Sequence, residues 1–125
     1  MKILESSENY LETVYILQKT HAIVRAIDIA HTLNYSKASV SIALKHLREN
    51  DFVSVDDLGA ISLLPKGLAI AESMYERHTV LTSALVTLGV SEEIAAEDAC
   101  RIEHIISAET FAAIKTHFIA HKPQN

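Results

Sequence analysis

The sequence predicts a mainly α-helical protein: a winged helix-turn-helix over residues 1–65, followed by an all-helical domain over residues 66–125. Three observations carry this reading. Two helical stretches are parted by the polar break Asn34-Tyr35-Ser36. Two short apolar runs joined by Asp56-Asp57-Leu58-Gly59 read as strand, turn and strand. After Pro65 the strand pattern ends and only helical spacing remains.

The first helix is predicted over Ser7–Thr20, where Tyr10, Leu11, Val14, Tyr15 and Leu17 recur at helical intervals and Glu8 and Glu12 lie near the positive end of the helix dipole. A short second helix spans Ala26–Leu33. Ser36 then serves as N-cap for a third over Lys37–Asn50, with Val40, Leu44 and Leu47 as its buried stripe. Phe52–Val55 and Ala60–Leu64 are the strands of the wing. Pro65-Lys66-Gly67 opens a long helix to about Leu88, carrying Leu68, Ala71, Tyr75, His78, Leu81 and Leu85 on its periodic face, and Gly89 stops it. Ser91 caps a helix over Glu92–Ile106, and Ser107 caps a last one over about Ala108–Ala120. His121–Asn125 reads as a frayed tail. No internal repeat is visible.

Composition bounds the function classes. A chain of 125 residues is one cooperative unit or two small lobes, and 49% apolar with 22% charged residues is a globular balance. No apolar run approaches the roughly 20 residues that cross a bilayer. The Met1-Lys2-Ile3-Leu4 start lacks the apolar core and cleavage site of a signal peptide. Cys100 is the single cysteine, so no internal disulfide forms, and a cytoplasmic location is expected. The net charge of −5 argues mildly against nucleic acid without excluding it, because local charge sets phosphate contacts.

Locally the charge is of the other sign. The third helix stands where a winged helix-turn-helix places its reading helix, whose N-terminal residues meet base edges. Ser36, Lys37, Ser39 and Ser41 occupy that end. The hydroxyls suit phosphates or base edges, and Lys37, Lys45, His46 and Arg48 supply positive charge against one acid, Glu49. A three-helix bundle with a basic solvated face would look similar along this helix alone; the order helix, helix, helix, hairpin is what favours DNA. Asp56 and Asp57 at the wing tip repel phosphates, so the wing is expected to add little. One helix pair reads only a short site, which favours a homodimer on a palindromic operator. Leu81, Leu85, Ile94, Ile105, Phe111, Ile114 and Phe118 supply apolar surface for a core and a two-fold interface.

A second constellation has metal-ligand chemistry. Cys100, Glu103 and His104 fall at i, i+3 and i+4 of one predicted helix and so share a face. A thiolate, a carboxylate and an imidazole are three ligand types for a divalent ion, with Asn9, Glu12 and His78 as candidates for the rest. Each has an ordinary reading as well: a buried small cysteine, an exposed Glu–His pair, a hydrogen-bonded core histidine, a solvated first turn.

The stretch Ala99-Cys100-Arg101-Ile102-Glu103-His104-Ile105-Ile106-Ser107 closely resembles the central motif of the diphtheria-toxin-repressor family of metal-dependent regulators. So do Asn9-Tyr10-Leu11-Glu12-Thr13-Val14-Tyr15, the reading helix Ser36–Leu47, Leu64-Pro65-Lys66-Gly67 and Arg77-His78, which together span nearly the whole chain. The resemblance implies a homodimeric regulator, usually a repressor of metal-uptake genes, whose operator affinity rises with bound metal. Its helical domain would serve dimerisation and metal binding. It further implies the short form, without the C-terminal SH3-like domain. Glu103 and His104 match ligands of both branches of the family, and His78 matches its second-site histidine. Cys100 matches the iron type and Glu12 the manganese type. Asn9 departs from both, offering a neutral carbonyl oxygen where the family has methionine or aspartate. Thr82 lacks the carboxylate of the iron type's second site. The resemblance therefore implies one well-occupied site, from Cys100, Glu103 and His104 plus Glu12 or Asn9, and a weaker position near His78.

Fe(II) suits this mixed donor set best, followed by Mn(II) and Zn(II). Binding is expected to release protons and to weaken at low pH. No membrane partner and no small-molecule substrate are implied. A metal-independent winged-helix regulator and a winged-helix protein-interaction module remain as alternatives. A hydrolytic metalloenzyme lacks a histidine triad and a poised general base, so the chain is not expected to be an enzyme.

Overall fold

The structure is a computed structural model that describes residues 5–120. The Met1–Leu4 start and the His121–Asn125 tail lie outside the described residues. In order along the chain run α1 (Glu5–Leu17), α2 (Ala26–Leu33), α3 (Lys37–Glu49), β1 (Val53–Val55), β2 (Ile61–Leu63), α4 (Pro65–Thr87), α5 (Glu92–Ile102) and α6 (Ala108–Ala120). The chain divides into two compact units, Met1–Met74 and Tyr75–Asn125, and the division falls inside α4.

The first unit is a winged helix-turn-helix. Leu11 and Val14 of α1, Ile29 of α2, Val40 and Leu47 of α3 and Val53 of β1 are almost wholly buried and form one apolar cluster. α1 was expected to reach Thr20 but stops at Leu17. There the N–H groups of Lys19 and Thr20 switch to the carbonyls three residues back, Ile16 and Leu17, and the chain tightens into a turn. α2 ends on Asn34, whose φ of 57° is left-handed, and the N–H of Tyr35 donates to the carbonyl of Ala30 at 3.1 Å. Ser36 caps α3 as the sequence predicts: its Oγ accepts the N–H of Ser39 at 3.1 Å.

β1 and β2 pair antiparallel, Val53 with Leu63 and Val55 with Ile61, with buried Val53 and Ile61 tying the wing to the core. The turn between them is built by Asp56. Its Oδ1 accepts the N–H groups of Leu58 and Ala60, both at 2.9 Å, while Gly59 takes a φ of 84°. β2 also donates from Ile61 N–H to the carbonyl of Val24 at 2.8 Å, so the loop before α2 flanks the wing. α4 leaves the wing at Pro65, and Gly67 passes so close to the residue before β1 that a Cβ there would overlap the carbonyl oxygen of Phe52. Lys66 fastens the same corner, donating to the carbonyl of Asn50 at 3.2 Å with its ammonium 4.4 Å from the Phe52 ring centre.

The second unit is helical. Leu81 of α4, Ala95 and Ala99 of α5 and Phe111 of α6 are its buried apolar residues. α4 closes at Gly89, whose φ is 108°, and Val90 N–H reaches back to the carbonyl of Leu85 at 3.0 Å. Ser91 and Ser107 cap α5 and α6 through their Oγ atoms, accepting from Ile94 N–H and Thr110 N–H. α5 was expected to continue to Ile106 but ends at Ile102. The carbonyl of Ile102 accepts from both Ile105 and Ile106, closing the helix in a tight turn that carries Glu103 and His104.

Candidate functional site

The turn after α5 is held from α4. Arg77 Nη1 donates to the carbonyls of Glu103 at 3.0 Å and Ile106 at 2.9 Å, satisfying acceptors that the end of a helix leaves open. The Arg77 guanidinium also lies 5.5 Å from the centre of the Phe111 ring, which anchors it against α6. Arg77 thus fixes the backbone of a residue whose carboxylate is wholly buried.

That residue is Glu103. Its side chain is 0% exposed, although a carboxylate is costly to bury without compensation. Oε2 stands 3.0 Å from Nδ1 of His78, on α4, and Oε1 stands 3.3 Å from Nε2 of His104, itself only 2% exposed. Oε1 is buried and takes part in no hydrogen bond among the described residues. The pKa of His78 is raised, first by its hydrogen bond to Glu103 and then by the carboxylate's charge, against the opposing effect of burial. A buried carboxylate oxygen left over beside two imidazoles fits a divalent cation, since carboxylate oxygen and imidazole nitrogen are both ligands for such ions.

Cys100 differs in exposure. It is exposed, whereas Glu103 and His104 turn inward. At about 100° per residue, the buried side of α5 runs through Ala95, Ala99 and Glu103, and Cys100 points well away from its middle. Of the three residues expected on one face, Glu103 and His104 have buried side chains and Cys100 is exposed. On α1, Glu12 is buried at 4% exposure, and half-buried Asn9 uses its backbone carbonyl to accept the Thr13 hydroxyl at 2.8 Å. Thr82, one turn after His78, has a buried Oγ1 without a hydrogen bond in the described structure.

On α3, Ser36, Lys37, Ser39, Ser41, Lys45, His46 and Arg48 are all exposed. Ser36 is already committed locally, since its hydroxyl donates to Ser39 Oγ at 2.9 Å while capping the helix. At the wing, Asp56 spends Oδ1 on the turn.

Sequence reasoning passed over Arg77 as a functional residue. Its partners lie 26 and 29 residues further along the chain, so only the neighbouring His78 pointed to it.

Comparison with known proteins bears on both regions. Residues 2–60 match the N-terminal DNA-binding domain of the iron dependent repressor family, and residues 64–123 match its metal-binding and dimerisation domain. The chain is 34% identical over 109 residues to the transcriptional regulator MntR of Salmonella typhimurium, covering 87% of this chain and 69% of that one. It is 29% identical over 113 residues to a helix-turn-helix-type transcriptional regulator of Methanocaldococcus jannaschii, covering 89% of this chain and 90% of the other. A solved manganese-dependent transcriptional repressor in complex with manganese superposes with a TM-score of 0.82 at 26% identity, over 89% of this chain and 51% of that one. The chain thus spans about half the length of that solved repressor. No helix among the described residues is long and apolar enough to cross a membrane. With both family domains matched in order and an MntR relative at 34% identity, the chain belongs to the iron-dependent-repressor family, which comprises DNA-binding transcriptional regulators rather than enzymes.

Proposed function

We propose that this chain is a metal-responsive transcriptional regulator, a repressor of metal-uptake genes, which binds a palindromic operator as a homodimer when Fe(II) or Mn(II) is bound. Buried Glu103, set between His78 and His104 within the stretch that matches a metal-binding domain, is the observation that carries the reading. Residues 1–65 serve DNA binding and residues 66–125 serve dimerisation and metal binding, in the cytoplasm.

Glu103 and His104 are the principal ligands in this reading, with His78 at the same carboxylate. Glu12 and Asn9 join them on the strength of the sequence resemblance. Cys100, being exposed, is left as the outermost candidate. Bound there, the cation would supply positive charge beside the buried Glu103 carboxylate. Without the thiolate the donors are oxygen and nitrogen, which suits Mn(II) as well as Fe(II), while Co(II), Ni(II) and Zn(II) bind such a set at least as tightly in vitro. Ser36, Lys37, Ser39, Ser41, Lys45, His46 and Arg48 form the DNA-facing surface.

The test pairs metal binding with DNA binding. Reduced, metal-free protein titrated anaerobically with Co(II) is expected to saturate without an intense sulfur-to-cobalt charge-transfer band. The band, if seen, would return Cys100 to the ligand set. Duplexes selected from a random pool with Mn(II) present are expected to bind wild type in a metal-dependent way. His104→Ala should lose that dependence. A His104→Ala protein that matches wild type with and without Mn(II) would sink the proposal.

A further inference from the structure

The exposed face of α3 is not uniformly polar. Its buried stripe is Val40, Leu44 and Leu47. At about 100° per residue, the opposite side passes through Ala38, Ile42 and Lys45, with Ile42 close to its middle. Ile42 is 72% exposed, and Ser39, Ser41, Lys45 and His46 around it are exposed too.

Single exposed apolar side chains occur on any protein surface and need no special cause. Ile42 differs by its place. It stands at the centre of the outward face of the helix that a winged helix-turn-helix directs into the major groove. A β-branched residue there gains nothing from core packing and has lower helix propensity than the lysine or glutamine a solvated face could carry. Exposed Ala38, one turn earlier, continues the apolar ridge toward the helix N-terminus. Glu49, on the same side but two turns later, sets a carboxylate at the far end, which phosphates disfavour. The N-terminal part, with Ala38 and Ile42, is therefore the part suited to the groove floor.

The chemistry narrows what Ile42 can recognise. A branched alkyl side chain neither donates nor accepts hydrogen bonds, so it cannot read the N7, O6, N6 or N4 positions of the bases. The apolar feature that the major groove offers is the C5-methyl group of thymine. Building on the regulator reading above, we infer that Ile42 is a specificity-determining residue that packs on the C5-methyl of a thymine in each operator half-site. Ser39, Ser41 and Lys45 surround that contact with groups for polar base edges and phosphates. The apolar ridge thus separates thymine from cytosine by a methyl group, without a hydrogen bond.

The experiment uses the full chain with Mn(II) and the duplex recovered from a random-sequence pool. Each thymine is replaced in turn by uracil, which removes only the C5-methyl. One thymine per half-site is expected to lose about fourfold in affinity on this change, the worth of one buried apolar carbon. Ile42→Ala is expected to bind the thymine and uracil duplexes equally while keeping the wild-type salt dependence. Lys45→Ala is expected to keep the thymine preference and to reduce the salt slope by about one. A thymine preference that survives in Ile42→Ala, or a recovered duplex with no methyl-sensitive position, overturns the role of Ile42 alone. Recovery of no preferred duplex overturns the regulator reading and this inference with it.

Discussion

Single residues in this chain show how position, more than type, sets chemistry. Tyr10 packs edge-on against Tyr35, with ring centres 5.9 Å apart, and its pKa is raised by burial and then by the nearby Tyr35 phenol. The folded state therefore favours the neutral phenol more than the unfolded state does. That contribution to stability is complete below the ordinary tyrosine value of about 10 and is lost as pH rises through the higher folded-state value. Tyr10→Phe, which cannot ionise, is expected to move the alkaline unfolding midpoint to higher pH, followed by circular dichroism. An unchanged midpoint would show that the Tyr10 phenol does not govern alkaline unfolding. Glu103 makes the same point with opposite chemistry. Its type and its place in the motif are plain in the sequence, yet its burial and its two histidine neighbours are not.

Elements end and meet where backbone groups find partners, and two positions test this. Gly67 lies in the first turn of α4 against Phe52, just before β1, and the Phe52 carbonyl occupies the space that a Cβ would need. Gly67→Ala therefore forces backbone to move, and an overpacked contact of this kind costs about 1–3 kcal/mol. Denaturant unfolding should show that loss, whereas an unaltered midpoint would mean that the α4–β1 corner yields freely. The second position is the end of α5. No glycine or proline stops that helix; the tight turn at Ile102 and the guanidinium of Arg77 hold it. Arg77→Ala is expected to weaken metal binding about tenfold, the lower range for groups that support ligands, with overall helix content preserved. Equal metal affinity in calorimetry would show that the Glu103 turn holds itself.

At the scale of the whole molecule, a metal response is a coupling free energy and must run in both directions. If Mn(II) tightens operator binding by some factor, operator must tighten Mn(II) binding by the same factor. Calorimetric titration of Mn(II) with and without duplex is expected to give matching factors. A clear mismatch would mean that a further equilibrium, such as dimerisation, carries part of the response. Against the acidic total of −5, α3 carries Lys37, Lys45 and Arg48 with one acid, Glu49, so its local balance is positive.

The sequence by itself determined the order of elements, the caps at Ser36, Ser91 and Ser107, and the family motif. These depend on local spacing and on hydrogen bonds between near neighbours, which a linear reading can follow. Helix C-termini were less legible: α1 and α5 stop early because backbone bonds shift from the fourth to the third residue back, without glycine or proline to mark the change. The face shared by Cys100, Glu103 and His104 was expected from helical periodicity. In the structure burial follows the Ala95–Ala99 side of α5, with Glu103 buried and Cys100 exposed. Tertiary structure also decided the roles of Arg77 and Gly67, whose partners are distant in sequence. Local pattern fixes which helices form; only packing fixes which polar groups lose water.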